Sequence, residues 1–141
     1  MSRAARYTIE TNKTDRWSDF LMNLDRNPVT GFLGKATNEQ AIEGSLRNLI
    51  LTNQGSWPFE TSVGSKVAAA SFEFADERTI DELRDTIIET INNHEPRVQL
   101  EEIIASTRPS EPNAMFVTLY YSIINIPDEI FELDVIVTRV R

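Results

Sequence analysis

The stretch that decides the fold runs from residue 76 to residue 107, DERTIDELRDTIIETINNHEPRVQLEEIIAST. Its first part repeats at helical spacing, with Ile80, Leu83, Ile87 and Ile91 on one face, the stripe a surface helix buries. Two start signals sit side by side: Asp76 as an N-cap, and Thr79 with Glu82 as a capping box. Pro96 closes the helix, because the residue before a proline is pushed out of helical dihedrals. From Val98 the period changes from helical to two, which predicts a strand.

Downstream, three strands are expected, at about 98–107, 114–125 and 131–140, separated by turns at 108–113 and at Ile126-Pro127-Asp128-Glu129. In the last strand Phe131, Leu133, Val135 and Val137 point one way while Glu132, Asp134 and Thr138 point the other. The middle strand is apolar on both faces, with Met115, Val117, Leu119 and Tyr121 against Phe116, Tyr120 and Ile124. That pattern suits a central strand covered by helices or by another chain.

Upstream, Thr37-Asn38-Glu39-Gln40 reads as a capping box for a first helix carrying Ile42, Leu46, Leu49 and Ile50 and ending near Asn53. Residues 54–75 form a wrapping segment with a loop at Gly55-Ser56-Trp57-Pro58-Phe59, a short helix near 65–70, and the apolar pair Phe72 and Phe74. Residues 1–37 read as an extended N-terminal arm with one short strand, and residues 38–141 as the folded domain. Trp17 and Phe20 in the arm need a surface, either the domain's own core or a partner. The class is α+β: two main helices packed on a three-stranded antiparallel C-terminal meander.

A chain of 141 residues has room for one core. The formal net charge of -8 argues against a nucleic-acid partner, since phosphates are held by clustered Lys and Arg. No stretch approaches the roughly 18 apolar residues of a membrane span, so no membrane partner is expected. With no cysteine and one histidine, His94, there is no thiolate, and a metal site would need carboxylates alone. His94 suits a helix C-terminus, where the macrodipole favours a donor. Glu101 and Glu102 are neighbours in a strand and point to opposite faces, so without a bulge they cannot share a cleft as an acid–base pair. Asp25 with Glu10 is no better a pair. With no phosphate-cradling loop or dinucleotide fingerprint, no catalytic residue, cofactor, metal or small-molecule substrate is assigned.

What remains is Glu95-Pro96-Arg97, where the helix meets the sheet. The proline stiffens the backbone between two opposite charges, and Arg97 can offer a planar fork to a carboxylate. Two readings stand: a docking point for another chain, or a clasp closed within this one.

Asn93-His94-Glu95-Pro96-Arg97-Val98 resembles the Glu-Pro-Arg core motif of the contractile-phage baseplate wedge family, typified by gene product twenty-five of the T-even phages and including TssE-like subunits of type VI secretion. Leu49-Ile50-Leu51-Thr52, the Gly55–Phe59 loop, Val63-Gly64-Ser65-Lys66-Val67 and Asn125-Ile126-Pro127-Asp128-Glu129 agree in order, so the likeness runs from about Ala41 to the C-terminus. Trp57 stands where the family has Arg, Val63 where an aromatic is common, and His94 where Tyr often precedes the motif. The resemblance implies a structural, non-enzymatic subunit of the virion tail baseplate, assembled in the host cytoplasm. Its implied partners are the wedge core subunits, docked through Glu95, Pro96 and Arg97 with Trp57 nearby, and the tail sheath protein. The sheath would add strands at the ribbon carrying Phe131, Leu133, Val135 and Val137. A cell-wall hydrolase is the alternative function, since some family members have carried a lysozyme label. A phage tail, a type VI system and a related particle all stay open.

Overall fold

In the computed structural model the described residues are 16–70 and 76–138. The long helix, α3 (Glu77–His94), starts where Asp76 accepts a hydrogen bond from the Thr79 amide at 2.8 Å. The second start signal is unused, and Thr79 is buried instead, while Ile80 is only half-buried. Leu83, Ile87 and Ile91 form the core-facing stripe as expected.

α1 (Glu39–Leu51) buries Ala41, Ile42, Leu46 and Ile50. The expected capping box does not form. Asn38, rather than Thr37, precedes the helix with a left-handed φ of 48°, and its side chain makes no cap bond. That geometry turns the amide towards the preceding segment, where Asn38 Oδ1 accepts from the Arg16 amide and the Asn38 amide donates to the Trp17 carbonyl. Asn tolerates this backbone region better than most residues.

β3 (Val98–Arg108), β4 (Glu111–Ile123) and β5 (Ile126–Thr138) form one antiparallel sheet in the order β3-β4-β5. The strands are longer than the sequence suggests, and the turns shrink to Pro109-Ser110 and Ile124-Asn125. The Ile126–Glu129 segment is therefore strand and not turn. Pro127 is accommodated because it lies in a bulge: the register jumps from Ser122–Ile130 to Ile123–Ile126, so residues 127–129 have no partner in β4 and the missing N–H breaks no ladder bond. On the inner face Leu100–Tyr121–Phe131, Ile103–Leu119–Leu133 and Ala105–Val117–Val135 align across the strands. This face packs with α1, α3 and α2 (Val67–Ala70) into one core. Tyr121 is fully inside it, and burial, with the Glu43 charge adding to it, pushes its hydroxyl up to about 12.

The described part of the segment read as an arm, residues 16–37, holds two short strands rather than one: β1 (Ser18–Phe20) and β2 (Lys35–Thr37), paired antiparallel. Ala36 is buried, and Trp17 packs against the core, whereas Phe20 is exposed. Phe72 and Phe74 lie outside the described residues. Between α1 and α2, the Ser65 amide donates to the Thr52 carbonyl at 2.8 Å and the Gln54 amide to the Ser65 carbonyl at 3.0 Å. The Ser65 hydroxyl donates to the Ile50 carbonyl, satisfying one of the acceptors that a helix end leaves open.

Candidate partner-binding site

Glu95 is the residue at which α3 stops: its φ of -126° and ψ of 76° are not helical, though its amide still donates to the Ile91 carbonyl. Pro96 follows as the second residue of a turn closed by the Val98 amide on the Glu95 carbonyl at 3.2 Å, a position its fixed φ suits. The chain then enters β3, and the Ile124 amide anchors the Arg97 carbonyl at 3.0 Å.

The turn folds the two charges back on each other. Arg97 donates from Nε to Glu95 Oε1 and from Nη2 to Glu95 Oε2, both at 2.6 Å, the bidentate geometry that makes a guanidinium–carboxylate pair strong. Ser45 of α1 donates to Glu95 Oε2 at 2.8 Å and accepts from Arg97 Nη2 at 3.2 Å. The corner is thus bolted to the first helix as well. Glu95 is only 3% exposed, whereas the Arg97 side chain keeps 32% of its surface. Burial by itself would raise the Glu95 carboxyl, but the hydrogen bonds from Arg97 and Ser45, together with the guanidinium charge, outweigh it and hold the acid below its ordinary range. Arg97 moves up, chiefly through its bond to Glu95, with burial opposing and the charges of Glu95 and Asp19 adding to the rise.

The clasp within the chain is therefore closed, and it uses Nε and Nη2. Among the described residues Nη1 of Arg97 makes no hydrogen bond, so the outer edge of the fork remains open. Sequence reasoning missed Ser45 and Asp19. Ser45 is 50 residues from Glu95, and only the packing of α1 across the helix–sheet junction brings them together.

The other expected contact residues lie elsewhere. Trp57 is 57% exposed and Phe59 fully so, with Leu51 beside them in sequence also exposed, so this loop presents apolar groups to solvent. Leu133, Val135 and Val137 are buried in the chain's own core, and Phe131 packs against it with its ring 5.8 Å from that of Tyr121. Their side chains are already engaged; what β5 presents outward is its main-chain edge, which has no strand neighbour among the described residues.

His94 sits in the last turn of α3, as its sequence position suggested. A register shift between Leu100 and Glu102 places a bulge at Glu101, so strict alternation does not separate Glu101 from Glu102. Even so, both are exposed, and Glu101 accepts from the Ser122 hydroxyl at 3.0 Å. Glu10 lies outside the described residues. No cluster of metal-ligating side chains occurs among the described residues, and no described helix is long and apolar enough to cross a membrane.

Against known proteins, the fold is shared with two solved structures. One is a subunit of the anti-feeding prophage baseplate, with a TM-score of 0.69, 24% identity and coverage of 79% of this chain and 89% of that one. The other is a Geobacter sulfurreducens protein bearing a tail-lysozyme label, with a TM-score of 0.68, 19% identity and coverage of 75% and 95%. In sequence, the baseplate wedge protein gp25 of Enterobacteria phage T4 is 27% identical over 95 residues, covering 67% of this chain and 70% of its own. The family model described as baseplate wedge protein gp25 matches residues 36–128, from β2 through the Glu-Pro-Arg corner into β5. A match spanning most of the chain and including that corner places this protein in the gp25 family of baseplate wedge proteins.

Proposed function

We propose that the chain is a structural wedge subunit of a contractile-tail baseplate, located in the virion and assembled in the host cytoplasm, which docks on neighbouring wedge core subunits through Arg97 and offers the outer edge of β5 to the tail sheath. Its work is assembly, not turnover, in keeping with its relative in T4 being a baseplate wedge protein. The observation that carries the docking role is the fork itself: one edge of Arg97 is clamped by Glu95 and Ser45, and the other is open. A guanidinium fixed in this way meets a carboxylate without first losing the rotamer freedom of a long side chain. Glu95, sealed and fully bonded, acts through Arg97 and touches no partner itself. The edge of β5 supports the second role, because an unpaired strand edge is a ready row of donors and acceptors. The tail-lysozyme label of the Geobacter protein carries no weight for activity, since at 19% identity the likeness is one of fold.

Co-purification tests the docking role. Arg97→Lys keeps the charge and loses the fork, while the pair Glu95→Gln with Arg97→Gln removes both charges without orphaning either. Both are expected to fold, by circular dichroism, and to lose the other wedge subunits in a pull-down. Retention of those subunits by the doubly substituted chain would falsify the assignment.

A further inference from the structure

The inner face of the sheet is sealed by the helices, but the outer face is open. Four rows cross it: Gln99–Ser122–Ile130, Glu102–Tyr120–Glu132, Ile104–Thr118–Asp134 and Ser106–Phe116–Ile136. Ile104 and Ile136 are 46% and 56% exposed, large apolar groups on a strand face that water alone would not favour. The charge is one-sided. The three strands carry seven carboxylates and a single cation, Arg108, which lies 4.0 Å over the Phe116 ring at one end of the face. None of the seven is in an ion pair among the described residues. Glu132, with burial, Asp134 and Glu102 adding to it, raises the Tyr120 hydroxyl, which marks this end of the face as negative.

We propose that this outer face docks a basic amphipathic helix from another baseplate subunit. The proposal rests on the baseplate assignment but not on the roles of Arg97 or the β5 edge. Size points to a helix: three strands span about 10 Å, the diameter of one helix with its side chains. Charge points to a basic one. Lysine and arginine stems cover apolar rows while their heads reach flanking carboxylates, here Glu102, Glu132 and Asp134. A second copy of this chain would set the same carboxylates against each other and is excluded as occupant.

The chain has no cysteine, so single-cysteine labelling reads the face directly. Ile104→Cys and Ser106→Cys both lie on β3, with β4 between them and the open edge of β5. Maleimide labelling of either is expected to slow about tenfold or more in assembled baseplates relative to the free chain. A cross-linker attached there should capture a Lys- and Arg-rich segment of helical period. Unchanged labelling at both positions, or capture of an acidic or extended segment, overturns the proposal. Because docking through Arg97 is read by co-purification, labelling can fail while that reading stands.

Discussion

Arg97→Ala is expected to lower the stability of the free chain by about 3 kcal/mol at neutral pH, the order found when one partner of a buried ion pair is removed. The cost arises at Glu95 rather than at Arg97. Without the guanidinium, a carboxylate only 3% exposed keeps just the Ser45 hydroxyl as a side-chain partner, and a buried, unpaired charge is expensive. The effect carries a pH signature. In the wild type the Glu95 carboxyl is held below its ordinary range, so the pair's contribution is fully present above the unfolded carboxyl value of about 4.3 and is lost as pH falls through the lower folded value. Urea midpoints of the two proteins should therefore differ at pH 7 and converge in acid, where the variant's glutamic acid is neutral. An equal gap at both pH values would mean that the loss comes from packing alone. It follows that lost partner binding by Arg97→Ala would not isolate docking, whereas the doubly substituted chain does.

Gly64→Ala should cost a comparable amount, about 3 kcal/mol, from an unfavourable dihedral added to a steric conflict. Gly64 has a φ of 113°, and a Cβ there would stand 2.6 Å from the Thr52 carbonyl oxygen and 3.0 Å from Gln54 N. These are backbone atoms, and Thr52 O is the acceptor for the Ser65 amide, so the loop cannot give way without breaking the bonds that tie it to the end of α1. Gly55 supplies the contrast. It also has a positive φ, 86°, but nothing lies within 4 Å of its would-be Cβ, so Gly55→Ala should cost only about 1 kcal/mol. Thermal melts of both variants check the difference; equal shifts would show that dihedral strain alone matters at Gly64.

The sequence was most legible where a single physical rule acts without competition. Leu83, Ile87 and Ile91 of the α3 stripe, the Asp76 cap and the inward set on β5 follow from periodicity and capping, and each appears where expected, while the first stripe position shifts from Ile80 to Thr79. Legibility failed where two rules competed. Thr37-Asn38-Glu39-Gln40 fits a capping box, but Asn38 serves the incoming chain at Arg16 and Trp17 instead. Ile126–Glu129 carries a proline and reads as a turn, yet the chain stays extended: Ile126 pairs with Ile123, and Pro127–Glu129 bulge out of the ladder before Ile130 rejoins it at Ser122. In the candidate site, Glu95-Pro96-Arg97 stood out because a proline between opposite charges is an unusual constraint. The two readings of that motif turned out to be compatible: the clasp is closed within the chain and still leaves one edge of the fork outside. Neither Ser45 nor Asp19 could be found from spacing, because their place depends on how α1 and β1 pack at the helix–sheet junction.

The proposed division of labour, a fixed corner for docking and a free strand edge for growth, is tested most directly by hydrogen exchange at the β5 amides. It should be measured in the free chain and again in a baseplate bearing its first sheath ring. Amides that face away from β4 have no partner strand among the described residues and are expected to exchange quickly in the free chain and slowly after the ring has formed. Exchange along β5 that is the same with and without the ring would contradict strand addition at this edge.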